Sequence, residues 1–174
     1  MATGAEEGKE YILKMAKEQN VKFIELWFTD ILGQLKSFAI PFSELERTLE
    51  DGMGFDGSSI QGFARIDESD MVVMPDVDTF QLLPWKINEM ANLARMFCDI
   101  LKPGGQPFDG DPRGILKKNL KKAADLGFTY YVGPELEYFY FKDENGTVML
   151  DDGGYFDMTL RDAATELRNE TVLA

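Results

Sequence analysis

Histidine is absent from all 174 residues. With it go the commonest general base, the Ser–His and Cys–His nucleophile pairs, and every imidazole metal site. Any chemistry therefore rests on carboxylates, hydroxyls and backbone groups. Cys98 is the only cysteine, so no intrachain disulfide forms and an oxidising compartment is not implied. No apolar run reaches the roughly 18 residues of a membrane span, and the N-terminal Met1-Ala2-Thr3-Gly4-Ala5-Glu6-Glu7 lacks the basic-then-apolar pattern of a secretory leader. A cytoplasmic location is expected. Positive charge is scarce: 18 Lys and Arg stand against 31 Asp and Glu, a formal net charge of -13. Such a chain repels phosphate backbones and anionic lipid, which argues against nucleic acid and membrane partners.

What is present is the composition of a folded globular protein, 44% hydrophobic and 28% charged. Tyr11, Ile12, Met15, Ala16 and Gln19 recur at helical spacing and predict an amphipathic helix over 6–19, with Asn20 as its stop. Val21 to Thr29 and Leu35 to Phe42 are rich in aromatic and branched residues around Asp30-Ile31-Leu32-Gly33, and predict a β-hairpin. Ser43 and Glu46 have capping-box spacing before a helix over 44–51 that Gly52 would end. The glycine-rich stretch from Gly54 to Phe63 reads as a loop. Further strands are expected at Met71–Met74, Thr79–Leu83 and Leu93–Ile100.

Pro103-Gly104-Gly105-Gln106-Pro107 is the clearest break, and a domain boundary is expected there. Beyond it, Asp111 caps a predicted helix with Pro112 at its first position and a buried stripe of Ile115, Leu116, Leu120 and Ala123. Phe128 to Phe141 predicts a long strand, turning at Asp143-Glu144-Asn145-Gly146 into a short strand over Thr147–Leu150. A helix is expected from about Thr159, with Leu160, Ala164, Leu167 and Thr171 on one face. The roughly seventy residues after the break are thin for an independent core, so the second domain is expected to be incomplete.

Two constellations can carry chemistry. Glu135 and Glu137 lie two apart on the predicted strand, so both leave one face and can converge on hard cations. A solvated polar face satisfies the same spacing. The flanking Leu136, Tyr138, Phe139, Tyr140 and Phe141 suggest burial of both faces, which would demand compensation of the two charges by metal or by an arginine. In the glycine-rich loop, Asp56 and Ser59 combine a carboxylate and a hydroxyl with exposed amides, suited to a small polar ligand. An Asx turn, in which Asp56 bonds its own backbone, fits equally well. Arg65 reads as an anion anchor or a surface ion pair with Asp67, Glu68 or Asp70, and Cys98 as a core residue.

Taken together, Phe55-Asp56-Gly57-Ser58-Ser59-Ile60, Glu68-Ser69-Asp70-Met71, Gly110-Asp111-Pro112-Arg113, Gly133-Pro134-Glu135-Leu136-Glu137 and Gly153-Gly154-Tyr155-Phe156-Asp157 are similar to the type I glutamine synthetase family, over essentially the whole chain. The resemblance implies an α+β fold: a β-grasp N-terminal domain, 1–103, then the truncated beginning of a catalytic domain, 104–174. It implies ATP-dependent ligation of ammonia to L-glutamate through γ-glutamyl phosphate, with Mg2+ or Mn2+. By resemblance Glu135 and Glu137 match metal ligands, Asp56 and Ser59 an ammonium-side loop serving a neighbouring subunit, and Arg65 a position used for feedback inhibition. The implied assembly is a homo-oligomer, a dodecamer of two stacked rings. The family's other metal ligands, glutamate-binding arginines and nucleotide pocket lie past residue 174, so an incomplete active site is expected. Two alternatives stand beside this: a non-catalytic truncated paralogue that binds full-length synthetase, and a related γ-glutamyl-amine ligase.

Overall fold

Strand β1 (Val21–Thr29) buries Ile24, Leu26 and Phe28 on one face and leaves Glu25 and Trp27 on the other, the period-two alternation of a sheet with one core face. It pairs antiparallel with β2 (Leu35–Pro41), forming the hairpin the sequence predicts. The turn is fixed by Asp30, whose buried Oδ1 accepts from the Leu32 and Gln34 amides at 2.9 Å. Gly33, at φ 81°, supplies the left-handed residue that this turn needs. The computed structural model describes residues 3–60, 69–88, 91–154, 156–158 and 163–173, and divides into two units, Met1–Tyr130 and Tyr131–Ala174.

In the first unit the central strand is β6 (Ala91–Leu101). One edge pairs parallel with β1; the other pairs antiparallel with β5 (Gln81–Asn88) along its first half and β4 (Asp70–Pro75) along its second. Outermost on that side is β3 (Met53–Asp56), antiparallel to β4. The parallel β1–β6 contact needs a crossover, and the chain supplies it through helix α2 (Leu45–Asp51), β3, β4 and β5. Helix α1 (Thr3–Glu18) contributes Ile12 and Ala16, and α2 contributes Leu45 and Leu49, to a core shared with Ile24, Leu26, Ala94, Met96, Cys98 and Ile100. Each such aliphatic side chain contributes about 1.5–3 kcal/mol on burial. Burial also pushes the Cys98 thiol up to about 12, an inert core group, as the sequence suggested.

Local signals held where the backbone alone decides. Asn20 ends α1 at φ 51°, and Gly52 ends α2 at φ 73°. A Cβ at Gly52 would lie 2.5 Å from Val72 Cγ1 and 2.8 Å from the Val73 carbonyl oxygen, so the position needs glycine twice over. The capping box does not form: residues Phe42–Glu44 make a 3-10 turn, Glu44 occupies the cap without a side-chain bond, and the Thr48 hydroxyl donates back to the Glu44 carbonyl at 2.7 Å. Part of the expected loop is strand β3, because β4 offers Met53–Asp56 a ladder. Strand β5 runs on through Pro84 and Trp85.

The Pro103–Pro107 cluster is a tight return. Gly104 and Gly105 take φ of 92° and 85°, the Lys102 amide donates to the Gln106 carbonyl at 2.7 Å, and Pro107 bridges back to Leu101. It leads into α3 (Pro112–Asp125), capped by Asp111 as predicted. Helix α3 buries no side chain, however, and Ile115, Leu116 and Leu120 are 50%, 55% and 40% exposed. The anticipated buried stripe is not covered within this unit.

The long strand expected over 128–141, most of which falls in the second unit, is not a strand. An extended segment joins a sheet only when a neighbour takes its backbone groups, and here Thr147–Leu150 offers two bonds, Lys142 N to Val148 O and Leu150 N to Tyr140 O, with one bridge at Phe141 and Met149. The turn between them is as anticipated, with the Asn145 amide on Asp143 Oδ1 and Gly146 at φ 65°. Helix α4 (Thr165–Leu173) follows; Leu160 lies outside the described residues. Among the described residues of this unit Ala164 alone is a buried apolar side chain, while Leu136 and Phe139 are 82% and 72% exposed. Among the described residues, no helix is long and apolar enough to cross a membrane.

Candidate functional site

Asp56 owes its position to the residue before it. Phe55 packs inward, its ring 5.3 Å from that of Phe28 and 6.1 Å from that of Phe38. Strand alternation then turns Asp56 outward at the end of β3, opposite Asp70 of β4. Beyond it Gly57–Ser59 close a 3-10 turn, tied down by the Gly57 amide on the Ser69 carbonyl at 2.7 Å. Asp56 Oδ1 accepts from the Ser58 amide at 2.9 Å and the Ser58 hydroxyl at 2.6 Å. The Asx turn is thus present. These two bonds, the hydroxyl's first, hold the Asp56 carboxyl below the usual carboxylate range. An ionised carboxylate held this way favours a cation over a stored proton.

Ser59 contributes the last residue of the turn; its side chain lies outside what the structure describes, as does Arg65 with the whole of 61–68. Sequence reasoning singled out Ser59 and missed Ser58, which holds the carboxylate. The signal was available, since a hydroxyl two residues after an aspartate is the spacing of an Asx turn.

Glu135 and Glu137 lie in the extended part of the second unit, and both are exposed. The expectation that burial forces the pair to recruit a cation is therefore not met, because among the described residues no neighbouring strand covers either face. Glu137 lines an open cavity of about 960 Å³, together with Tyr138, Asp151, Asp152, Asp157 and Arg168; Glu135 is not among its lining residues. Among the described residues, no group of three or more acidic or cysteine side chains is placed to hold a metal ion. Asp56 belongs to the first unit and the glutamate pair to the second.

A charged cluster that the sequence reading missed joins the sheet to α3. Arg113 donates through Nη1 to Asp99 and through Nη2 to Asp76, both at 2.5 Å, and Lys117 reaches Asp99 at 2.6 Å. Burial pushes the Asp76 carboxyl up, but Arg113 foremost, with the Asp78 amide and Lys117, offsets this and leaves it below its ordinary value. Partners 37 and 14 residues away in sequence leave no local pattern to read.

Two family models cover most of the chain: one described as the glutamine synthetase beta-Grasp domain matches residues 20–103, and one described as the glutamine synthetase catalytic domain matches 109–174. The chain belongs to the glutamine synthetase family. A glutamine synthetase of Mycolicibacterium smegmatis is 50% identical over 171 residues, 95% of this chain and 38% of the relative. Among solved structures, Plasmodium falciparum glutamine synthetase aligns at 28% identity with a TM-score of 0.61, over 71% of this chain and 23% of that one. A GmaS–ADP complex aligns at 27% identity with a TM-score of 0.60, over 66% and 26%. The β-grasp reading is thereby established for residues 20–103, within a family of ligases. The chain spans 38% of the length of the first curated relative.

Proposed function

We propose that this chain supplies the N-terminal part of a glutamine synthetase, an enzyme that ligates ammonia to L-glutamate with ATP by way of γ-glutamyl phosphate in the cytoplasm. The carrying observation is identity near 50% sustained over 95% of the chain, which includes every motif segment that bears a candidate site residue. Asp56 holds ammonium by charge and takes its proton, releasing ammonia to attack the acyl phosphate carbonyl and expel phosphate, and Ser58 aims the carboxylate. Ser59 completes the turn, and Arg65 serves feedback inhibition. By its likeness to the family, Asp56 serves the site of a neighbouring subunit in a ring assembly, the family dodecamer.

Glu135 and Glu137 would hold Mg2+ or Mn2+ through hard carboxylate oxygens, and their exposure leaves both reachable. The fit is partial, since two carboxylates are a fraction of the six or so oxygen ligands such ions take. When bound, the ions neutralise phosphate charge during phosphoryl transfer. The chain alone therefore lacks a complete site. With ATP, manganese and hydroxylamine it should yield no γ-glutamyl hydroxamate, and robust turnover would overturn that conclusion. Fused to the remaining catalytic region of the M. smegmatis relative, it should become active. In that fusion Asp56→Asn should depress ammonium-dependent turnover with nucleotide affinity unchanged; loss of nucleotide binding instead would refute the ammonium role.

A second reading, a non-catalytic module that docks on full-length synthetase, is favoured by the exposed aromatic and aliphatic side chains of the second unit. Size-exclusion chromatography with intact subunits separates the readings: co-elution supports docking, and separate elution supports a catalytic fragment.

A further inference from the structure

Helix α3 lies on the sheet of the first unit without burying a side chain of its own. Its apolar residues Ile115, Leu116 and Leu120 are all substantially exposed, so apolar packing is not what fixes it. What does reach the sheet is polar. The Asp111 cap accepts the Ile100 amide of β6 on Oδ2 at 3.1 Å. Two residues on, the Arg113 guanidinium spans two carboxylates on different parts of the sheet, Asp99 within β6 and Asp76 just after β4, each at 2.5 Å. Lys117, one further turn along the same face, adds Asp99 at 2.6 Å and Asp76 at 3.9 Å. Arg113, Asp76 and Asp99 are only 22%, 23% and 26% exposed at the side chain, which protects these pairs from much of the screening that weakens surface ion pairs.

Asp76 is itself held rigidly. Its amide donates to the Phe97 carbonyl at 2.8 Å, and its Oδ1 caps the 3-10 turn Val77–Thr79 through the Asp78 amide. Arg113 thus meets a preformed pair of acceptors, and its planar fork offers them two donors in a fixed geometry, where an ammonium offers a compact charge with freely rotating donors. Arg113 and Lys117 belong to the stretch matched by the catalytic-domain model, Asp76 and Asp99 to that matched by the β-grasp model. The charged contacts cross that boundary inside one compact unit.

We infer that Arg113 is a positioning residue: with Asp76, Asp99 and Lys117 it forms an electrostatic clamp that holds the first helix of the catalytic-domain stretch on the β-grasp sheet. The Pro103–Pro107 turn then acts as a fixed return rather than a free linker, and the orientation of α3 is set by charge. This inference stands on geometry and family membership, and does not depend on the catalytic roles proposed above.

Native-state hydrogen exchange on the full chain tests it. In Arg113→Gln, amides of 112–125 should exchange about tenfold faster or more while those of 91–101 stay within about twofold, the signature of local release rather than general loss of stability. Arg113→Lys should restore part of the protection. Asp76→Asn, which keeps the size of the side chain and removes one charge, provides a milder variant should Arg113→Gln fold poorly. Unchanged exchange in 112–125 would assign the attachment to the Asp111 cap and overturn the clamp. Equal acceleration of 91–101 would also overturn it.

Discussion

Replacing Asp111 by alanine should destabilise the first unit by about 2–4 kcal/mol, and the magnitude follows from three hydrogen bonds. The carboxylate is 2% exposed. Its Oδ1 accepts from the Arg113 amide at 3.1 Å and its Oδ2 from the Gly114 amide at 3.1 Å, the bonds of a helix cap. Loss of such a cap costs about 1 kcal/mol. Oδ2 also accepts the Ile100 amide near the end of β6, and that donor sits in the core, where an unsatisfied N–H costs about 1–3 kcal/mol. Trp27 and Trp85 are the chain's two tryptophans and both lie in this unit, so urea unfolding followed by their fluorescence reports on it alone. Asp111→Asn keeps a competent cap and an acceptor oxygen, and should recover about half of the loss. A shift below about 0.5 kcal/mol in Asp111→Ala, the range of an ordinary surface substitution, would refute the dual role of the carboxylate.

Three other perturbations have defined outcomes. Gly52→Ala should cost more than about 2 kcal/mol, since it combines a positive φ with a Cβ 2.8 Å from the Val73 carbonyl oxygen; an unchanged urea midpoint would contradict this. Asp76 has a folded pKa below its ordinary value, so its stabilising contribution is complete above the unfolded value of about 3.9 and is lost as pH falls through the folded one. Acid titration of Asp76→Asn should accordingly lack part of the native chain's stability loss in that window. Ser58→Ala removes the hydroxyl bond that most strongly holds the Asp56 carboxyl down, leaving the amide bond. Carboxyl-carbon NMR titration should show the Asp56 pKa rising towards its ordinary value, and no movement would mean that the hydroxyl bond is not formed in solution.

By itself the sequence determined what local chemistry decides. Aromatic and branched residues placed β1 and a short apolar run placed most of β6, and the stops at Asn20 and Gly52 and the Asp111–Pro112 start of α3 were legible because each is a backbone requirement met within a few residues. The motif segments determined the family for the same reason: residue type at fixed spacing is one-dimensional information. Only the tertiary structure decided the rest. That β3 is a strand depends on β4, and that 128–140 is not one depends on the lack of a neighbour to receive its amides. Whether Ile115, Leu116 and Leu120 are buried depends on what covers them, which periodicity cannot state. The clamp of Arg113 on Asp76 and Asp99 arises because the sheet brings β4 and β6 side by side. Charges meet there through the fold's long-range pairing, which leaves no periodic trace in the chain.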